Sequence, residues 1–142
     1  MKILYILIFL IFGLSLFSCS SSKVSNTSSV TFDSTQSGLK FVDLTLGNGK
    51  SPIEGSKCTV HLLITDENGS EIENTFRSNR PVVFTIGKSD VIKGLEEGVL
   101  TMKQGGKRKL LVPPELGFGA RALKNVPGNA YLFILTELIK VE

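Results

Sequence analysis

The chain contains no tryptophan, a single histidine (His61) and only two cysteines, Cys19 and Cys58. One imidazole and two distant thiols cannot assemble the His and Cys ligand sets of a metal centre, so no metal is expected. Nucleophilic catalysis is short of parts for the same reason. Cys58 lies three residues before His61 on one predicted strand, and period-2 alternation puts the two side chains on opposite faces, which excludes a local Cys-His dyad. Charge of one sign is scarce as well. Sixteen Lys and Arg stand against 13 Asp and Glu, a net +3, too mild a balance for a nucleic-acid reader. Lys107, Arg108 and Lys109 alternate across a strand and form no basic patch with interleaved aromatics. Phosphate loops are missing too: Gly47-Asn48-Gly49-Lys50-Ser51 has Leu44 where the first glycine of GxxxxGK[ST] would stand, and Gly117-Phe118-Gly119 is no better as a nucleotide signal. No cofactor is expected.

What is present begins with an apolar run. Mean hydropathy is +0.19, and much of the excess comes from the first 17 residues, where Lys2 precedes an apolar stretch from Ile3 to Leu16 broken only by Gly13 and Ser15. A bilayer span needs about 20 apolar residues, so this shorter run is the core of an export signal. It ends in Leu16-Phe17-Ser18-Cys19-Ser20, which resembles the bacterial lipobox. That resemblance implies a signal peptide over residues 1–18, lipid attachment at Cys19 and anchoring of the chain to a membrane; a plain secretory signal with an incidental cysteine is the alternative. With Cys19 acylated, Cys58 is the only free thiol and no intrachain disulfide can form. Removal of Lys2 leaves 15 cations against 13 anions.

Residues 19–37 are dominated by Ser and Thr and read as a tether. Residues 38–142 read as one domain. Its elements are short and mostly strand-like: residues 40–46, 57–65, 70–74, 82–86, 107–112 and 130–141. One helix is expected over 91–100, capped by Asp90 or Ser89 and followed by Gly105-Gly106. Many strands with one helix predict an α+β domain. In the last strand Leu132, Ile134, Thr136 and Leu138 should face inward, which leaves Tyr131, Phe133 and Leu135 on an outer face too apolar to sit bare. Val30 and Phe32 are expected to fold back onto that face, with a partner protein or the membrane surface as alternatives.

Three ordered blocks then stand out: Val91-Ile92-Lys93-Gly94-Leu95-Glu96-Glu97-Gly98, Met102-Lys103-Gln104-Gly105-Gly106-Lys107-Arg108-Lys109-Leu110, and Val112-Pro113-Pro114-Glu115-Leu116-Gly117-Phe118-Gly119. Together with Ser37-Gly38-Leu39-Lys40, Val60-His61, Asn68-Gly69, Pro81, Phe84, Gly87-Lys88 and Glu137-Leu138, they resemble the FKBP-type peptidyl-prolyl cis/trans isomerases over essentially all of 38–142. The resemblance implies a strongly curved antiparallel sheet of about five strands wrapped around one short helix, with the site in the cleft between them. The long dimerisation segment that precedes some bacterial members is absent, so a monomer is expected.

Turning an X-Pro bond means crossing a resonance barrier of about 18–20 kcal/mol without covalent chemistry. Such a site must grip the proline ring, exclude water from the amide and favour the twisted bond. Carried over residue by residue, the resemblance assigns catalytic positions to Glu73, Ile92 and Phe118 and substrate contacts to Leu62, Ile72, Val82, Val91, Leu95 and Ile134. The family's aromatic lining is largely replaced. Leu62 stands for Tyr, Ile72 for Phe, Glu73 for Asp, Val82 for a frequent Phe, Leu95 for Trp or another large residue, and Ile134 for Phe. Phe118 occupies a Tyr position without its hydroxyl, whereas the Ile92 N–H, a backbone donor, survives any side-chain change. The implied clients are proline-containing unfolded or partly folded proteins of the cell envelope, periplasmic or at the outer membrane. The alternative is a catalytically weak chaperone or binding lipoprotein on the same fold.

Overall fold

The computed structural model describes residues 31–123 and 125–142. The expected export signal over residues 1–18, the expected lipid attachment at Cys19 and the expected fold-back of Val30 lie outside the described residues. The sheet begins within the Ser/Thr-rich segment. A two-residue strand β1 (Asp33–Ser34) pairs antiparallel with β2 (Lys40–Thr45). The remaining strands are β3 (Lys57–Thr65), β4 (Glu71–Asn74), β5 (Val82–Thr85), β6 (Lys107–Val112) and β7 (Leu132–Val141). They run antiparallel in the order β1-β2-β6-β7-β3-β4, and β5 also pairs with β3. β4 lies beside the C-terminal end of β3 and β5 beside its N-terminal end, so the two share one edge position. Seven strands thus fill an open sheet of the expected kind.

Period-2 alternation explains the central strands. β3 buries Cys58, Val60, Leu62 and Ile64, and β7 buries Leu132, Ile134, Thr136 and Leu138. Opposed residues of an antiparallel pair share a face, so the register Val42–Lys109–Leu135–Leu63 lies across the other, outer side.

The expected helix over 91–100 is shorter at its start. α2 runs Lys93–Leu100, with Ile92 as an extended N-cap (φ −63°, ψ 146°) that offers no side-chain bond. Asp90 does not cap it because its Oδ2 accepts the Thr85 N–H at 3.1 Å, across the loop that leaves β5. α2 approaches the sheet closely through two glycines on one face. A Cβ at Gly94 would stand 2.4 Å from Val112 Cγ1, and one at Gly98 2.7 Å from Leu110 Cδ1. Behind them Arg108, 4% exposed, ties the end of α2 to the sheet. Its Nε and Nη2 donate to Asp43 at 2.7 and 2.9 Å, Nη1 donates to the Gly98 carbonyl at 2.9 Å and to Thr101 Oγ1 at 2.5 Å, and the guanidinium sits 4.2 Å over the Phe41 ring.

Two short elements join the set. α1 (Thr75–Ser78) starts at Asn74, whose Oδ1 accepts the Arg77 N–H at 3.0 Å. A single 3-10 turn, Pro114–Leu116, leads out of β6 into the loop that precedes β7. Cys58 and His61 fall on opposite sides of β3 as expected. Cys58 is fully buried, and burial pushes its thiol pKa up, away from the reactive thiolate. His61 Nδ1 lies 3.0 Å from Thr75 Oγ1 and its ring stacks on Phe76 at 5.1 Å.

Candidate functional site

The inner face of the sheet and the N-terminal end of α2 enclose a cleft of about 440 Å³. β3 contributes Leu62 and Ile64, β4 Glu73, β5 Val82, the loop into α2 Asp90, Val91 and Ile92, α2 itself Leu95, and the segment after the 3-10 turn Phe118. Leu62 and Leu95, each 2% exposed, form the floor. Val82, Val91, Ile92 and Phe118 are half-buried and form the walls. The local sequence explains the placement. Alternation in β3 aims Leu62 and Ile64 inward, and the glycine contacts that seat α2 on β6 bring Leu95 down to the same level.

Seven of the nine candidate residues therefore meet in one cleft: Leu62, Glu73, Val82, Val91, Ile92, Leu95 and Phe118. Ile134 and Ile72 do not line it. Ile134, 1% exposed, is part of the core, opposite Ile64 in the register. Ile72 packs against the core; the register shifts here, with Glu73 opposite Ile64 and Glu71 opposite Thr65, so Ile72 is the extra residue of a bulge while Glu73 faces the cleft. Two lining residues were not singled out from the sequence. Ile64 was legible as the next inward position after Leu62; Asp90 carried no signal apart from adjoining Val91.

The chemistry available here is apolar contact with few polar groups. No cluster of metal-binding side chains occurs among the described residues. Glu73 and Asp90 are the acids of the cleft, and Asp90 is engaged by the Thr85 N–H. At the start of α2 the Ile92 carbonyl accepts the N–H groups of Leu95 (3.1 Å) and Glu96 (3.2 Å). The Ile92 N–H itself makes no hydrogen bond among the described residues. It is one of the donors that a helix start leaves unpaired, beside an apolar floor. Such a donor can hold a substrate carbonyl while the apolar walls exclude water from the adjoining amide.

Comparisons with known proteins agree with this geometry. A profile described as "FKBP-type peptidyl-prolyl cis-trans isomerase" matches residues 48–139. An "FK506-binding protein" of Neisseria meningitidis serogroup B is 42% identical over 105 residues, spanning 73% of this chain and 96% of that protein. The Mus musculus "Peptidyl-prolyl cis-trans isomerase FKBP2" is 43% identical over 95 residues, 64% of this chain and 68% of the relative. Among solved structures, AtFKBP13 superposes with a TM-score of 0.74 at 31% identity, covering 79% of this chain and 99% of its own. FkpA from Escherichia coli gives 0.73 at 31% identity over 78% of this chain; the match spans about half (51%) of the FkpA chain.

Proposed function

The chain belongs to the FKBP-type peptidyl-prolyl cis-trans isomerases, and on that premise we propose that it turns X-Pro bonds in an aliphatic cleft, as a lipid-anchored folding helper of the cell envelope. In this reading the proline ring lies on Leu62 and Leu95, between Val82, Val91 and Phe118. The Ile92 N–H holds the carbonyl that follows the proline. No bond is made or broken, so catalysis consists of stabilising the twisted amide over both planar forms. Removing water from the amide disfavours the charge-separated resonance form that keeps the bond planar. Glu73 supplies a polar contact at the rim. The observation that carries the reading is the unpaired Ile92 N–H beside an apolar floor.

Anchoring is proposed from Leu16-Phe17-Ser18-Cys19 and the Ser/Thr-rich stretch that follows. A folding helper placed there meets exported chains before they are native, and the domain acts as a monomer. A second reading, a binding protein that holds proline-containing segments without turning them quickly, is favoured by Phe118, which brings no hydroxyl to the cleft, and by the aliphatic lining.

Ile92 offers a direct test, because its φ of −63° is the value proline imposes. Ile92→Pro removes the N–H with little backbone change, and Ile92→Ala removes the side chain but keeps the donor. Relaxation of an X-Pro peptide, followed with the full-length protein, should retain most of its acceleration in Ile92→Ala and lose about tenfold or more in Ile92→Pro, the worth of one hydrogen bond at the upper end of the usual range. Equal rates in the two variants would remove the carbonyl-holding role.

A further inference from the structure

The loop from β5 into α2 brings a carboxylate to the cleft. Asp90 stands where a helix cap would be expected, yet its Oδ2 accepts the Thr85 N–H at 3.1 Å. The loop doubles back to allow this. The Lys88 N–H donates to the Thr85 carbonyl at 3.1 Å, and Gly87 (φ 87°) and Ser89 (φ 57°) take left-handed conformations that reverse the chain. Asp90 is thereby fixed through one oxygen, while Oδ1 makes no hydrogen bond among the described residues. We propose that Asp90 is a specificity-determining residue, which selects peptides whose proline is followed by Lys or Arg. The inference rests on the isomerase reading and adds to it the chemistry of the residue after the proline.

Charge in the cleft is of one sign. Its lining is apolar apart from Glu73 and Asp90, and no Lys, Arg or His contributes to it. Ion pairs among the described residues use Asp43, Glu71, Glu137 and Glu142, so neither cleft acid is neutralised by a partner. The bases nearest Asp90 in sequence turn elsewhere. Lys93 lines a separate groove with Ile86, Glu96, Glu97 and Leu100, and exposed Lys88 takes no part in the cleft.

Position assigns the role to Asp90. The Ile92 N–H holds the carbonyl of the proline, and the Cα of Asp90 lies two residues away along the chain, at most about 7 Å. A cation on the four-carbon stem of a lysine that follows the proline spans that distance, as does an arginine. Glu73 comes from β4 instead, where it pairs with Ile64. An acidic residue after the proline meets the Asp90 carboxylate as a like charge and is disfavoured.

Capped Ala-Ala-Pro-X-Ala peptides, with X as Lys, Gln or Glu, test this by exchange NMR with the full-length protein. At about 0.01 M salt, where screening sets in only near 30 Å, kcat/KM should favour Lys over Gln about two- to fivefold, the worth of an exposed ion pair, and Lys over Glu about tenfold. In about 1 M salt the preference should vanish. Asp90→Asn keeps an oxygen for the Thr85 N–H but loses the charge, so its Lys-to-Gln ratio should fall to about one. Glu137→Gln, opposite His61 on the outer face, makes the same change in net charge and should keep the natural ratio. The inference is overturned by a natural ratio of one, by a ratio that survives Asp90→Asn, or by a ratio that only Glu73→Gln abolishes. An equal preference in Ala-X-Pro-Ala-Ala peptides, where the cation precedes the proline, overturns it too. The isomerase reading fails separately, if the natural protein accelerates none of the peptides. The Lys-to-Gln ratio of dissociation constants, from titrations with the same peptides, then decides the role of Asp90, and absence of binding overturns it as well.

Discussion

Gly94→Ala is the substitution through which packing and function should fail together. In a helix, alanine is favoured over glycine by about 1 kcal/mol, so propensity alone predicts a more stable protein. The sheet predicts the reverse. The new Cβ would lie 2.4 Å from Val112 Cγ1 and 3.0 Å from Cγ2, against the 3.4 Å at which ordinary contact begins. Val112 is fully buried and has nowhere to turn, so α2 must lift by up to 1.0 Å (3.4 minus 2.4). Overpacking of this kind costs about 1–3 kcal/mol. After the propensity gain of about 1 kcal/mol, a net loss of up to about 2 kcal/mol is expected, and a domain of this size loses about 4–8 °C of Tm per kcal/mol. The same lift moves Ile92 and Leu95 away from Leu62. Displacements near 1 Å cost catalysis about a hundredfold in unfavourable cases, so kcat/KM should fall by about tenfold or more. Thermal unfolding and X-Pro relaxation on the full-length protein check both, with exposed Lys93→Ala as a control that should change neither. A Gly94→Ala protein as stable and active as the natural one would refute the close seating of α2 as the device that forms the cleft floor.

Two further outcomes follow from the electrostatics. Arg108→Ala leaves the Asp43 carboxylate, the Gly98 carbonyl and the Phe41 face without their shared partner, so a loss of about 3 kcal/mol is expected, read by denaturant unfolding; a change under about 0.5 kcal/mol, the range of ordinary surface substitutions, would contradict the tie. Asp66 is held below the usual carboxylate range, chiefly by the Ser70 N–H and also by the Asn68 N–H. A depressed carboxylate contributes stability that is present above its unfolded pKa and lost as pH falls through the folded value, so the natural protein should weaken on the acid side of the carboxylate range. Asp66→Asn should flatten that part of the pH–stability curve, and an unchanged slope would contradict the assignment.

The parts of the fold that rest on one-dimensional patterns were legible in the sequence. Alternation located β3, β6 and β7, separated Cys58 from His61, and placed Ile134 inward. Elements defined by tertiary pairing were not. β1 is an Asp-Ser dipeptide with no strand propensity, made a strand only by β2. α1 is four residues long, with Asn74 as its cap and no periodicity to detect. The start of α2 moved because Asp90 is claimed by the Thr85 N–H instead of the helix. In the cleft, facing inward was readable but depth was not. Ile134 faces inward yet lies in the core, while Ile64, of the same parity as Leu62, reaches the surface of the cleft. The outer face of β7 announced its own excess of apolar side chains, and Phe32 stands at the groove they form.

The central claim is that an aliphatic cleft with one free backbone donor suffices for isomerisation. It is tested most directly by X-Pro relaxation with the full-length protein beside a variant carrying Leu62→Tyr, Glu73→Asp, Leu95→Trp and Phe118→Tyr. Clear acceleration by the natural protein, within about tenfold of the variant, is the predicted result, since tenfold is the worth of about one hydrogen bond. A natural protein that is folded but silent, beside a variant that works, would contradict the claim and leave the cleft as a binding site alone.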